Sequence, residues 1–220
     1  MKLKKTSLML LATFAGMSYA QAVTLINASF ESPQTFNSFN YDRINDPTGW
    51  TIDRPASAWD VAAVNQAYAD AADVQVGPLI GNQALWVSNN GGQATNMSAE
   101  SFASHGAGTF TFTLAIGQSQ NFAGVDLITI SIVDGNGSVL NSNAITTLDP
   151  GDDLADFSVD YSATGAEFGN VGVRVTSGAD NLTGVYVVDN ARLDFSAVPE
   201  PSSTMLLGLG GLALIMRRRK

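Results

Sequence analysis

The chain has 220 residues, of which 45% are hydrophobic and 14% charged, and it contains no cysteine. That is enough core-forming sequence for one ordinary domain, and it excludes a disordered chain, a disulfide framework and a thiolate metal site. The formal net charge of −9 understates the body: between Val23 and Val198 four basic residues face nineteen acidic ones, a net of −15 with no lysine. A surface of that sign repels phosphate backbones, which excludes nucleic acid as a partner, and it attracts divalent cations.

Lys2, Lys4 and Lys5 precede an apolar run from Ser7 to Met17, and small residues follow at Ser18-Tyr19-Ala20 and Ala20-Gln21-Ala22. Charge, apolar stretch and small residues in that order make a secretory signal, expected over 1–22 with a cut at either small-residue site. The body, 23–197, shows no internal repeat and no linker, so it is read as one domain.

Early in the body, Asn27-Ala28-Ser29-Phe30-Glu31-Ser32-Pro33 sets an acid directly after an aromatic anchor. Short β pieces are expected at Trp50-Thr51-Ile52 and Ala84-Leu85-Trp86-Val87; an Ala-rich stretch between Ala62 and Ala72 is the one weak helical segment. From Gly108 the period becomes two. Phe110, Phe112, Leu114 and Ile116 alternate with polar or small residues, and Ile128, Ile130 and Ile132 do the same. Phe157, Val159 and Tyr161 repeat it, then Val171, Val173 and Val175. The last run, Gly184 to Phe195, puts Val185, Val187, Ala191, Leu193 and Phe195 on one expected face, with Asp189 in the same phase. Short strands separated by Gly, Asn and Asp turns predict an all-β antiparallel jelly-roll sandwich.

Conventional enzyme machinery is missing. The single histidine, His105, sits in a turn and is expected to be solvated; no G-x-S-x-G elbow, P-loop or H-E-x-x-H occurs. Asp149, Asp152, Asp153 and Asp156 crowd one Pro-Gly turn and are read as a solvated loop. Asp134 to Gly137 lacks the final glutamate of an EF-hand loop and is read as a hairpin turn. Acidic residues are numerous enough for a glycosidase pair, whose separation is a property of space and not of spacing. Asp189 differs, because a carboxylate on a core-facing row is costly unless paired or bound to a cation. Trp59, Trp86, Tyr41 and Tyr68 are the candidate carbohydrate-stacking residues, and Trp50 is assigned to the core.

Four segments in order carry a family resemblance: Asn27-x-Ser29-Phe30-Glu31-x-Pro33, Gly49-Trp50, Gly81-Asn82-Gln83-Ala84-Leu85 and Val188-Asp189-Asn190-Ala191-Arg192-Leu193. Together they resemble the galactose-binding-like β-sandwich family of carbohydrate-binding modules. The resemblance implies that Glu31 and Asp189 meet at a structural calcium ion where first and last strands lie together, and oxygen ligands suit that ion. Phe110 to Gly117, Gly172-Val173-Arg174 and Asp189 to Leu193 also resemble the exported cyclases of cyanobacterial indole alkaloid pathways, which share this sandwich and bind calcium. Those are framework strands, and no catalytic acid of that group can be placed on this sequence.

At the other end, Pro199-Glu200-Pro201 precedes an apolar run from Thr204 to Met216, and Arg217, Arg218, Arg219 and Lys220 close the chain. Thirteen helical residues reach about 20 Å, short of the roughly 30 Å hydrocarbon core, so 198–220 is expected to be a short, marginal transmembrane helix with its basic end in the cytoplasm. Motif, apolar run and Arg cluster in that order resemble the PEP-CTERM sorting signal. The resemblance implies processing by an exosortase in a Gram-negative-type bacterium that makes exopolysaccharide. The sequence thus predicts an exported, envelope-sorted protein that binds or organises extracellular glycan without catalysis. A calcium-dependent cyclase- or lyase-type enzyme and a purely structural envelope protein are the alternatives.

Overall fold

The computed structural model describes residues 20–32, 41–42, 46–54, 61–70, 77–88, 91–120, 128–178 and 184–198. The strands form one unit, Ala20–Ala197, which begins ahead of the Val23 start read from sequence. In chain order they are β1 (Ala20–Val23), β2 (Tyr41–Asp42), β3 (Trp50–Asp53) and β4 (Val61–Asn65). One helical turn, α1 (Gln66–Ala69), leads to β5 (Gln83–Ser88) and β6 (Gln93–Ser101); a second, α2 (Phe102–His105), leads to β7 (Gly108–Gln118). The rest is β8 (Ile128–Val133), β9 (Val139–Ile145), β10 (Ala155–Ala163), β11 (Asn170–Ser177) and β12 (Val185–Ala197).

One sheet has the order β10-β7-β12-β5-β4-β2, with β1 paired to the far part of β12; the other runs β3-β6-β11-β8-β9. Every one of these strand pairs is antiparallel. The protein is therefore an all-β two-sheet sandwich. Its core is the set of residues that alternation selects: Phe110, Phe112, Leu114, Ile128, Ile130, Ile132, Val171, Val173 and Val175 are all fully buried. Phe102, Phe110 and Phe195 close one end of that core, with Phe110 and Phe195 4.7 Å apart between ring centroids. Gly108 lets β7 pass this end, because a Cβ there would fall inside the Phe195 ring.

Where it is described, the Ala-rich stretch begins as a strand. Val61 to Asn65 is buried on both faces, and one helical turn, Gln66–Ala69, follows it. Its apolar residues have two sheet faces to fill. Ala62, Val64, Ala84, Trp86, Val185 and Val187 form a second cluster on the outer face of the larger sheet, joined by Ala69 and Leu79, with Leu154 packed against it. Leu85, Val87, Tyr186 and Val188 belong to the main core.

Strand β12 is where period two breaks. Its register against β7 shifts between Asp189 and Arg192, and Asn190 has φ 50°. This bulge moves the inward phase by one residue, so Val185 and Val187 face the outer cluster while Ala191, Leu193 and Phe195 face the main core. The single face expected for all five does not exist, and Asp189 lies at the changeover.

The two free sheet edges on one flank are tied together by side chains. From β9, Asn141 Nδ2 donates to the Asp160 carbonyl (2.6 Å) and Asn143 Nδ2 to that of Ser158 (2.8 Å), both on the outer edge of β10. At the other end of the fold, β1 pairs Ala20 to Ser196 and Val23 to Leu193. Thr24 N then donates to Glu100 Oε1 at 2.7 Å, fastening the residue after β1 to β6 of the opposite sheet.

Candidate functional site

The segment after β1 is shaped by two left-handed residues, Asn27 at φ 51° and Phe30 at φ 58°. Phe30 N donates to the Asn27 carbonyl at 3.0 Å, and Asn27 exchanges two bonds with the Ser32 backbone, making a tight loop. Phe30 is fully buried 4.6 Å from Trp50 by ring centroids, and Trp50 Nε1 donates to the Asn27 carbonyl at 3.1 Å. Trp50 is therefore core, as the sequence indicates. Ala191 N donates to the Ala28 carbonyl at 2.8 Å, pinning this loop to β12 one residue past the bulge.

Those ties bring Glu31 and Asp189 to one short segment, Ile80–Gln83. Asp189 Oδ2 accepts from Ile80 N at 2.9 Å and Oδ1 from Asn190 N at 2.6 Å. Glu31 Oε1 accepts from Asn82 N at 2.7 Å and from Gln83 N at 3.1 Å. Gly81, at φ 108°, lies between the two attachments, and a Cβ there would overlap Glu31 Oε1. Gln83 Nε2 completes the clamp by donating to the Phe30 carbonyl at 2.6 Å.

The electrostatics of the pair are unfavourable as they stand. Asp189 is fully buried. Burial raises its carboxyl, the Asn190 and Ile80 amides oppose this and the charge of Glu31 adds to it, which leaves it pushed up to about 7. Glu31 Oε2 is buried and has no hydrogen-bond partner. A buried anionic oxygen without a donor, beside a second carboxylate, has the donor chemistry for a hard cation such as calcium. Among the described residues no three His, Cys, Asp or Glu side chains gather. Backbone carbonyls and water would have to supply the remaining ligands.

The aromatic candidates fare differently. Trp86 is 7% exposed inside the outer cluster, so it presents no stacking face to solvent. Trp59 lies outside the described residues, and the same holds for the side chains of Tyr41 and Tyr68. His105 corrects the sequence reading: its side chain is 3% exposed, packed 4.8 Å from Phe195 and 5.3 Å from Phe110, with Nε2 3.0 Å from Glu100 Oε2. The acid on that imidazole also holds Thr24, and the Thr24 backbone bond is the main cause that keeps Glu100 below its ordinary range. Asp149, Asp152, Asp153 and Asp156 are exposed, and Asp156 pairs with Arg192 at 2.6 Å.

Sequence reasoning missed Glu167, in the loop between β10 and β11. Its carboxylate accepts from Thr164 N (2.8 Å), Thr164 Oγ1 (3.0 Å), Gly165 N (2.9 Å) and Tyr161 OH (3.1 Å). Partial burial pushes its pKa up, but the Thr164 amide and the other donors outweigh this and bring it down to about 2. A carboxyl depressed in the folded state stabilises the fold above its ordinary value and loses that contribution as pH falls toward the folded value. Melting temperature should therefore drop as pH falls from about 4.5 toward 2, more steeply for the wild type than for Glu167→Gln. Equal slopes would show that these bonds leave the Glu167 charge unstabilised.

Residues 197–220 match the PEP-CTERM protein-sorting motif, so Pro199, Glu200, Pro201, Arg217, Arg218 and Arg219 all fall within it. Residues 199–220 lie outside the described structure, and no described helix is long and apolar enough to cross a membrane. In backbone, the chain is similar to Fisc, a Stig cyclase from Fischerella sp. TAU solved with an indole compound: TM-score 0.64, 18% identity, covering 82% of this chain and 100% of that one. It is also similar to the apo form of a cyclase from Fischerella sp., at TM-score 0.63 and 20% identity over 80% of this chain and 96% of that one. A looser likeness, TM-score 0.47 at 14% identity, over 81% of this chain and 98% of that one, runs to the CBM22-1 xylan-binding domain of Paenibacillus barcinonensis Xyn10C. Among curated proteins none matches in sequence. At these identities the cyclases share a fold with this chain. The protein is thus an all-β sandwich that ends in a PEP-CTERM sorting motif.

Proposed function

We propose that this is a non-catalytic protein of the cell envelope or extracellular matrix that binds or organises surface glycan, with a calcium ion held by Glu31 and Asp189 as a structural staple. The observation that carries the reading is the junction at Ala197, where β12 ends and the sorting motif begins. The sandwich is what the sorting machinery delivers. On this reading a secretory signal over 1–22 exports the chain, the terminal apolar helix holds it briefly in the inner membrane, and an exosortase-type enzyme releases the body to the outer surface of a Gram-negative-type bacterium. Exopolysaccharide is the partner that such a location offers.

The rival reading is a small calcium-dependent cyclase- or lyase-type enzyme on the same sandwich. One observation favours it: Asp189 is a buried carboxyl poised near neutrality. Against it, both Asp189 oxygens are engaged by backbone amides and no part of the residue is exposed, so a substrate has no route to it. A purely structural role would leave the protein without affinity for glycan.

The test uses protein recovered from the surface of producing cells. Its intact mass should fall short of both terminal segments, and it should be retained on immobilised polysaccharide from the same cells. A full-length mass would leave it a membrane-anchored protein, and passage through the column unretained would favour the structural reading.

A further inference from the structure

We infer that Phe168 is the stacking platform on which a pyranose ring of the glycan docks; this rests on the glycan-binding reading and names its contact point. Phe168 is the one aromatic exposed among the described residues, at 63%. Every other aromatic whose side chain is described is buried or partly buried. An exposed phenyl ring is ordinary on a loose loop. This loop is held on three sides.

Glu167, the preceding residue, is fixed by its bonds to Tyr161, Thr164 and Gly165. Phe168 itself accepts from Gly135 N at 2.9 Å, and Gly169 accepts from Phe102 N at 3.1 Å. Two close backbone approaches, built on three glycines, complete the seating. A Cβ on Gly165 would stand 2.8 Å from the Gly106 backbone; one on Gly135 would stand 2.9 Å from the Gly169 Cα, and one on Gly169 3.1 Å from the Gly135 Cα. Gly165 and Gly169 also have φ of 83° and 67°. The fold thus fixes the backbone that carries an apolar ring and leaves the ring in water. A preorganised ring binds with less ordering cost than a mobile one.

The surroundings select the occupant. Asn136 and Ser138 are exposed on the turn whose Gly135 bonds Phe168, and Asp134 Oδ1 holds that turn by accepting from both their amides. A single aromatic ring beside a turn that exposes an amide and a hydroxyl side chain is too small an apolar area for a stable protein interface. It matches a sugar, which offers one apolar C–H face and a rim of hydroxyls. The net negative body directs the choice toward neutral or cationic residues of the polysaccharide.

Affinity electrophoresis in gels cast with polysaccharide purified from the producing cells tests this. Wild type should be retarded, Phe168→Ala should lose roughly tenfold in affinity, and Phe168→Trp should keep it. The melting temperature of Phe168→Ala should match the wild type, since the ring is exposed. Retarded wild type with equally retarded Phe168→Ala overturns the platform and leaves glycan binding intact; no retardation of the wild type overturns both. Sedimentation of the same proteins adds the remaining outcome: a wild-type dimer that Phe168→Ala makes monomeric would show that the ring docks a second copy of the chain.

Discussion

Chelation of calcium is expected to lower the melting temperature of the mature protein, and added calcium to restore it. Two carboxylates share the Ile80–Gln83 segment, one of them fully buried and the other with an oxygen that has no donor. A cation between them removes their repulsion and supplies the missing partner. At a calcium concentration a hundredfold over Kd the gain is about 2.7 kcal/mol. For a domain of this length that corresponds to roughly 5–10 °C in Tm. Asp189→Asn should abolish the response. Its metal-free melting temperature is the baseline for that comparison, because the substitution removes the charge that repels Glu31 but turns an NH2 group toward one of the two amides that Asp189 accepts from. A response that survives Asp189→Asn would move the ion elsewhere; no response in the wild type would leave the pair a strained structural contact. Calorimetric titration of calcium into each protein gives the affinity directly.

Phe30→Ala should cost about 3–5 kcal/mol, the range for a fully buried aromatic truncated to a methyl. The ring supports Trp50, and the backbone it fixes is left-handed and carries Glu31 as its next residue. Two losses are therefore expected from one substitution: global stability by denaturant titration, and the calcium increment. Phe110→Ala is the control, since Phe110 is equally buried but packs against Phe102 and Phe195 at the other end of the core. It should lose comparable stability while keeping the calcium response. If Phe30→Ala also keeps that response, Glu31 is positioned by its own bonds to Asn82 and Gln83 alone.

How far the sequence could be read depends on how local each cause is. The apolar residues at every second position of β7, β8 and β11 are legible because each lines the main core, even where the other face is also covered, as from Ala115 to Gln118 and at Ser131. Strand β12 departs from the expected single face before Asp189, where Val185 and Val187 point to the outer cluster, because the bulge at Asn190, φ 50°, shifts the phase without a signal in the sequence pattern. The Ala62–Ala72 stretch was misread because a strand buried on both faces shows no alternation, and short apolar runs then look helical. His105 looked like a turn residue by its neighbours. Its burial comes from Phe110 and Phe195, the latter 90 positions away in sequence. The pairing of Glu31 with Asp189 was legible only through resemblance, since their common partner, Ile80–Gln83, is remote from both. Phe168 carried no signal at all: the ring is ordinary, and only the glycines and Glu167 around it set it apart.

The two asparagines that reach from β9 to β10 also bear on how the protein behaves at high concentration. A sheet flank with open carbonyls is a template that a neighbouring molecule can extend. Asn141 and Asn143 occupy the acceptors at Asp160 and Ser158, so that a foreign strand would have to displace two intramolecular amides before gaining its first ladder bond. Among the described residues the opposite terminal strands, β2 and β3, have two and four residues, a short seam for a foreign strand. These edges are therefore, among the described residues, poor starting points for a ladder between copies, and a concentrated solution of the protein should stay free of fibres built by pairing at them.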